Sequence, residues 1–484
     1  MRFQSFNRAF CLLFLLGLGA FPWGLNAEPL SSYLYGADAE EADIRFEDSF
    51  LLDMSSFGKV SKVKNRYEDY SDEEKEFLSE AVKLQVLHLY GVFSYHETPI
   101  DFSYYSGAIL ESQDPVILHL EKDGEKLRVH YSYQDRAVFY KPLFKFLGKS
   151  TELRFYLPNE PREIFLQTQV KSKKTQKLRN PCTDQHDQEG WGFWYYWSPS
   201  RKGCRSLIQN HIHEVVASIV PRESTVLTYP EYSKLFHPKD GVVNVRILYG
   251  QDEKFGDEKD TGRRTFESEF RIFRSWKVSA KKPRFVVEKD EPFYKRLRSD
   301  SGEASVLLEL YYVDTDGEVF DETARHALKN SDVMIYAGHS YEGYYFDLAR
   351  LFEDPQAELP KGEYQIFYFD ACTTYSYYGN NYFSAKTSAE DLRGTKSLDL
   401  LTNGIGAPFL VDDPSGEDRN SNTTVFLRSL LGWSKSGRAL DALLSWQDIL
   451  KRITQNSGVD FTSLTLVKGD EDNPRQYEPS WLRP

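Results

Sequence analysis

The 484-residue chain is 40% hydrophobic, 15% aromatic and 27% charged, a composition that excludes an intrinsically disordered protein. At roughly 150 residues per domain, its length predicts two or three folded domains. The formal net charge of −13 gives no overall basic field, which argues against nucleic acid as a partner.

The first residues have the pattern of a secretory signal peptide. Arg2 and Arg8 precede a short apolar run, Cys11 to Phe21, and Leu25-Asn26-Ala27 offers a cleavage site after it. We predict that residues 1–27 are removed and that the mature protein is periplasmic or secreted. No later run reaches 18 consecutive apolar residues, so we expect no stable membrane insertion.

An accessory region is expected over residues 28–98. It begins with an irregular acidic stretch and continues with Ser71-Asp72-Glu73-Glu74, which has the form of a capping box. Apolar residues at helical spacing follow, so a helix is predicted from this point.

Residues 99–236 are predicted to form a β-rich domain. Apolar and polar residues alternate in Leu127 to Tyr133, and Asp123-Gly124 separates this run from Val116 to Leu120. This pattern indicates a β-hairpin in an antiparallel sheet with one buried face. The basic run Lys171 to Arg179 is interpreted as a solvated linker.

Two cysteines of this domain are predicted to be bonded to each other. Cys182 and Cys204 bracket a turn-rich loop, and an oxidising compartment favours a disulfide. A zinc site with the nearby His186, His211 and His213 is the weaker alternative, because the spacing fits no common zinc pattern. No metal or other cofactor is predicted for this chain.

Residues 237–484 are predicted to form an α/β domain with a doubly wound, mostly parallel sheet. Continuous apolar runs, typical of strands buried on both faces, alternate with helical segments. Thr323 to Asn330 is one such helical segment, and Leu440 to Ile453 is predicted to be an amphipathic helix. The runs are Val242 to Tyr249, Ala304 to Val313, Val333 to Ala337, Ile366 to Phe369 and part of Leu398 to Leu410.

Reactive side chains follow two consecutive predicted strands. Val333 to Ala337 leads into Gly338-His339-Ser340, and Ile366 to Phe369 leads into Asp370-Ala371-Cys372. If the two strands are neighbours, an imidazole and a thiol lie at the same sheet edge. His339 can then take the proton of Cys372, which generates a thiolate nucleophile.

These two motifs resemble those of the caspase, gingipain and clostripain group of cysteine peptidases. The resemblance covers roughly residues 240–410 and implies a caspase-like fold with His339 and Cys372 as the catalytic dyad. It also implies an oxyanion hole formed by the backbone N–H groups of Ser340 and Cys372. Ser340 departs from the family, which usually has glycine at this position. In some of these peptidases an acid at the position of Asp370 lines the pocket for the side chain before the scissile bond, which implies Arg or Lys there.

The function expected from these residues is that of an exported cysteine endopeptidase acting on a protein or peptide substrate. Three other interpretations concern the same residues. An α/β-hydrolase elbow around Ser340 is rejected because no histidine follows His339. Asp370 could instead be a carboxylate that hydrogen-bonds a strand-end turn. The chain could also be a non-catalytic binding protein on a degenerate scaffold of the same type, with a structural thiol.

Two further features carry less weight in the sequence. The acidic segment Asp252 to Asp260 is interpreted as a solvated loop, because it lacks the ligand spacing of a calcium-binding loop. The aromatic residues of the loop after Cys372 are expected either to line a substrate cleft or to cover the end of the sheet. They are Tyr375, Tyr377, Tyr378, Tyr382 and Phe383.

Overall fold

The chain forms two compact units in a computed structural model, the N-terminal unit Ala37–Ser224 and the C-terminal unit Thr225–Pro484, to which Leu34–Tyr35 also belong. The predicted signal peptide and His186 lie outside the described residues. Those residues are 34–35, 39–53, 64, 66–94, 108–110, 115–140, 152–175, 178–183, 196–221, 227–301, 304–341, 343–352, 359–404, 407, 421–457 and 465–482.

The described strands are numbered in chain order. They are β1 (Leu34–Tyr35), β2 (Ala39–Asp53), β3 (Ala108–Leu110), β4 (Val116–Asp123), β5 (Lys126–Tyr140), β6 (Glu152–Pro158), β7 (Val170–Lys171), β8 (Leu178–Arg179), β9 (Ile212–Pro221), β10 (Val242–Gly250), β11 (Lys277–Ser279), β12 (Lys282–Pro283), β13 (Val286–Glu291), β14 (Tyr294–Ser299), β15 (Ser305–Val313), β16 (Val333–Ala337), β17 (Gln365–Asp370), β18 (Leu398–Asn403) and β19 (Thr465–Lys468).

The described α-helices are numbered in the same way. They are α1 (Asp72–Ser94), α2 (Ile164–Thr168), α3 (Arg205–Ile208), α4 (Tyr232–Leu235), α5 (Thr261–Ser275), α6 (Glu318–Asn330), α7 (Leu348–Leu351), α8 (Asn380–Lys386), α9 (Asn422–Leu430) and α10 (Trp446–Ser457). None of these helices is long and apolar enough to cross a bilayer.

The N-terminal unit is built on a six-stranded antiparallel sheet. Its order is β3-β5-β2-β9-β6, with β4 also paired to β5. Ile44, Phe46, Phe50 and Leu52 of β2 lie on one face of the strand, and all four are buried. Asp43 and Glu47 alternate with them on the other face, which is the pattern of a sheet with one buried face.

The N-terminal unit differs from the sequence prediction in three ways. Residues 39–53, expected to be irregular, form β2, because apolar side chains at alternate positions of this segment are buried on one face of the strand. Since β2 pairs with β5 along its whole length, the predicted regions 28–98 and 99–236 share one sheet. The ends of the basic run predicted to be a linker form the pair β7 and β8.

Two local predictions for this unit are realised in the structure. The Ser71 hydroxyl accepts the N–H of Glu74 at 3.3 Å, and the Glu74 carboxylate accepts the N–H of Ser71 at 2.7 Å. This reciprocal capping box starts α1. The predicted hairpin is formed by β4 and β5, whose last pair, Asp123 and Lys126, flanks a turn with Gly124 at φ 63°.

The C-terminal unit contains a nine-stranded mixed sheet of order β1-β19-β18-β17-β16-β10-β15-β14-β13. Its five central strands, in sheet order β18, β17, β16, β10 and β15, are parallel. If these five are renumbered 1 to 5 along the chain, their order across the sheet is 5-4-3-1-2. The sheet is therefore doubly wound, with a topological switch point between β10 and β16. This is the α/β architecture expected from the sequence, with antiparallel strands added at both edges.

Helices cover both faces of this sheet. Buried residues of α5, α9 and α10 form a core with one face, and those of α6, α7 and α8 form a core with the other. Every residue of β16, β17 and β18 is buried, as expected of strands covered on both faces. Helix α10 begins at Trp446 rather than at Leu440, because the Ser445 hydroxyl accepts the N–H of Asp448 and caps it there.

Candidate functional site

The carboxyl ends of β16 and β17 place His339 and Cys372 at the same edge of the sheet. The two strands are parallel neighbours, and Ala337 is paired with Asp370. His339 and Cys372 each follow this pair by two residues. The edge borders the switch point between β10 and β16, which is where doubly wound sheets form their ligand sites.

A third residue at this edge, Asp252, hydrogen-bonds the imidazole. Its Oδ1 lies 2.9 Å from Nε2 of His339, and the side chains are 28% and 51% exposed. Asp252 follows the end of β10, on the other side of the switch point. Asp252 belongs to the acidic segment interpreted as a solvated loop, and no local sequence signal links it to the site.

The loop that carries Asp252 is organised by the buried carboxylate of Asp260. Its Oδ2 accepts the backbone N–H groups of Asp252, Glu253 and Lys254 at 2.9, 2.9 and 3.1 Å. Its Oδ1 accepts the N–H of Arg263 and caps α5. Burial opposes ionisation of Asp260, but these N–H donors together hold its pKa below the ordinary value. The carboxylate therefore fixes the loop instead of offering oxygens to a cation.

The thiol of Cys372 is largely enclosed. Its Sγ accepts the backbone N–H of Ala407 at 3.4 Å. Burial raises the pKa of the thiol, the N–H of Ala407 lowers it, and the carboxylate of Asp370 raises it further, with a net shift upward. Cys372 is thus a thiol at neutral pH until a base removes its proton.

The loops that follow the two strands contain strained backbone. Tyr341, two residues after His339, has φ 45°, and Thr373, directly after Cys372, has φ 51°. They are the two non-glycine residues with positive φ in the described part of the chain. A β-branched residue such as threonine is a clear outlier there, and strain of this kind concentrates at functional sites.

The same two loops pack against each other. The hydroxyl of Tyr378 donates to the carbonyl of Gly343 at 3.2 Å. A side chain at Gly343, which has φ 85°, would place its Cβ 2.7 Å from the Cβ of Tyr377. The backbone after His339 is therefore held against the segment that follows Cys372.

The backbone at His339 is also held by a side chain of the preceding strand. The hydroxyl of Tyr336 donates to the carbonyl of His339 at 2.8 Å. A Cβ at Gly338 would lie 2.6 Å from this hydroxyl oxygen, so the approach requires glycine. Ser340, the predicted oxyanion residue, is buried.

Asp370 lies in a buried polar layer between the sheet and α9. Its Oδ1 accepts from the Asn403 amide at 3.0 Å, and its Oδ2 faces the Thr423 hydroxyl at 3.5 Å. Burial raises the pKa of Asp370 to about 6. Burial likewise raises the pKa of the neighbouring Glu269 to about 8, and the negative charge of Asp370 adds to this shift.

The aromatic loop after Cys372 mainly covers the end of the sheet. The ring of Tyr378 lies 4.2 Å from that of Phe369, measured between centroids, and the Tyr382 hydroxyl donates to the carbonyl of Phe346 at 2.7 Å. Tyr375, Tyr378, Tyr382 and Phe383 are buried, whereas Tyr377 is half-buried.

Cys182 and Cys204 of the N-terminal unit are joined, with 2.00 Å between their sulfurs. The zinc alternative for this region does not fit, because both thiols are used in the disulfide. His213 instead lies 2.7 Å from the Asp48 carboxylate through Nε2 and 2.9 Å from the Asn159 side-chain oxygen through Nδ1.

No protein-family model matches the chain, and no curated protein matches its sequence.

Proposed function

We propose that the C-terminal unit is a cysteine endopeptidase in which Cys372 is the nucleophile, His339 the base and Asp252 the residue that orients the base. The observation that carries the proposal is the Asp252–His339 hydrogen bond at the sheet edge where Cys372 also emerges. The doubly wound sheet and the two strained turns add support. Such a fold is compatible with the caspase-like resemblance of the two strand-end motifs.

The proposed reaction has two halves, acylation of Cys372 and hydrolysis of the resulting thioester, and His339 transfers a proton in both. With Nε2–H donating to Asp252, the Nδ1 atom of His339 accepts the proton of the Cys372 thiol as sulfur attacks the scissile carbonyl carbon. The N–H groups of Ser340 and Cys372 stabilise the oxyanion. The C–N bond then breaks, and the leaving amine takes the proton from His339. Water, deprotonated by His339, hydrolyses the thioester and releases the acid and the thiol.

The raised pKa of Cys372 assigns a specific task to His339. A half-buried thiol beside a carboxylate is poorly ionised on its own, so the proton must be transferred when the substrate is bound. The imidazolium formed in that step is stabilised by Asp252, and the same contact selects the tautomer that acts as base.

A preference for Arg or Lys before the scissile bond belongs to the same proposal. Asp370, two residues before the nucleophile, forms a buried acidic pair with the neighbouring Glu269. Such a pair favours a cationic side chain nearby. The hydrogen bonds from Asn403 and Thr423 support the alternative, an internal structural role for Asp370. Cleavage rates of fluorogenic peptides that differ only in the residue before the scissile bond test this preference. Equal cleavage after Asp or apolar residues would contradict the preference for Arg or Lys without contradicting the proposed dyad.

The second candidate function is that of a binding protein on a scaffold of this type. Ser340, where the resembled peptidases usually have glycine, and the enclosed thiol of Cys372 favour it. In that case Cys372 would be a structural residue, and no group at the sheet edge would turn over a substrate.

Alkylation by iodoacetamide combined with peptide hydrolysis distinguishes the two functions. We expect Cys372→Ala to abolish hydrolysis with the fold retained, and His339→Ala and Asp252→Asn each to lower it at least about tenfold, because a positioned base commonly supplies more than this. His237→Ala, at an exposed histidine of the same unit, is the matched control and should change neither rate. Alkylation that is slow and unaffected by His339→Ala, together with no hydrolysis, would leave the binding function.

A further inference from the structure

Two histidines and a glutamate lie together on the exposed face of the hairpin β4–β5. The ligand atoms of His119, Glu121 and His130 are all within 4.8 Å of one another. His119 and Glu121 are exposed and His130 is half-buried. The proposed peptidase reaction uses none of them.

A β-bulge brings these residues to one face. Ile117 pairs with Tyr131 and His119 pairs with His130, so Leu118 is an extra residue in β4. If Leu118 instead paired regularly with His130, the alternation would place His119 opposite Val129, on the buried face. With it, His119 and Glu121 point to the same exposed face as His130, while Leu120 is buried.

The distances within the cluster suit a small cation. Nε2 of His130 lies 3.1 Å from Oε1 of Glu121, and the two imidazole rings are stacked with their centroids 3.9 Å apart. Tetrahedral zinc, with metal–ligand bonds near 2.1 Å, needs its ligand atoms about 3.4 Å apart. The ligand atoms must therefore approach by up to about 1.4 Å, which side-chain rotations at this surface can supply.

The neighbouring charges allow such a cation. Arg128 is the cationic residue beside the cluster, with its Nε 3.6 Å from Glu121. Its Nη2 lies 2.5 Å from Asp123, whose negative charge offsets part of the positive charge of Arg128. Glu121 therefore remains able to turn toward a metal ion.

We propose that His119, Glu121 and His130 bind one divalent transition-metal ion, with Zn²⁺ as the best match. Two imidazoles and one carboxylate form a donor set typical of zinc, whereas Ca²⁺ and Mg²⁺ require mostly oxygen ligands. Three ligands from the protein leave a fourth coordination position open to solvent. The ion would also connect β4 to β5 across the bulge.

Calorimetric titration of the full chain with ZnCl₂ tests this proposal. All proteins carry Cys372→Ala, because a thiol binds zinc itself. We expect one equivalent of zinc to be lost, or its affinity to fall at least about tenfold, in His119→Ala, His130→Ala and Glu121→Gln, since each removes one ligand. His237→Ala is the matched control and should retain that equivalent. Binding should weaken on acidification, because protons compete for the imidazoles.

Two results would overturn the proposal. One is the absence of zinc binding up to about 1 mM, which corresponds to a binding free energy weaker than roughly 4 kcal/mol. The other is an unchanged stoichiometry and affinity in both histidine variants. Ring C–H signals of histidines, followed by NMR in the same proteins, verify that the variants fold and identify the histidines that bind the ion.

Discussion

The pKa of the Cys372 thiol depends in part on a carboxylate two residues away. The charge of Asp370 raises the pKa of the thiol, in addition to the larger effect of burial. Asp370 itself has a pKa of about 6, so it carries this charge at neutral pH. Its presence opposes formation of the thiolate, so the proposed reaction needs a base such as His339.

We therefore predict that Asp370→Asn lowers the apparent pKa of Cys372. The Asn403 amide can still donate to an amide oxygen at position 370, so the polar layer should persist. The pH profile of iodoacetamide alkylation should move to lower pH in the variant. Glu363→Gln, at an exposed acid of the same unit, serves as control. An unmoved profile would mean that the Asp370 charge does not reach the sulfur.

At the scale of elements, one carboxylate joins the start of α5 to the loop after β10. Asp260 caps the helix and accepts three N–H groups of the loop that presents Asp252. The loop is therefore positioned by the helix behind it, and the orientation of His339 depends on a residue that does not contact it.

We predict that Asp260→Ala lowers both stability and hydrolysis. Loss of the cap should reduce the free energy of unfolding by at least about 1 kcal/mol, and activity should fall as far as in Asp252→Asn. Asp347→Ala is the matched control, since Asp347 caps the short helix α7 by accepting the N–H of Ala349. Urea unfolding and peptide hydrolysis measure the two effects. Full activity in folded Asp260→Ala would show that the loop holds Asp252 without it.

The sequence predicted elements well where one physical signal dominates. The continuous apolar runs of β16 and β17 identified these strands and their ends. Strand β2 was missed because Asp48 on its apolar face and Leu51 on its polar face interrupt the alternation with period two. Asp252 was missed for another reason: its contact with His339 spans 87 residues and depends on the order of β10 and β16 in the sheet. Local periodicity does not contain that order.

At the scale of the whole molecule, buried ionisable groups make the stability of the C-terminal unit depend on pH. Burial raises the pKa of Glu269 to about 8, of Asp470 to about 7 and of Asp370 to about 6. The folded state therefore binds these protons more tightly than the unfolded state. This contribution is present at low pH and is lost as the pH rises through these values.

We predict that the free energy of unfolding of this unit decreases from pH 5.5 to pH 8. Burial lowers the pKa of Lys386 to about 7, so above this pH the unfolded state binds more protons at this group than the folded state does. Lys386 therefore makes a contribution to stability that increases with pH. Urea midpoints at pH 5.5 and 8 measure the change, and Glu269→Gln should reduce it. An increase in the midpoint over this range would contradict the assignment of these groups.

The disulfide of the N-terminal unit and the thiol of Cys372 differ in access to solvent. Both bonded sulfurs belong to fully buried residues, whereas Cys372 is partly exposed. Thiol–disulfide exchange requires a reductant to reach the sulfur it attacks. A mild reductant would therefore regenerate an oxidised Cys372 while the Cys182–Cys204 bond stays closed, so kinetic selectivity lets one chain hold cysteines in two oxidation states.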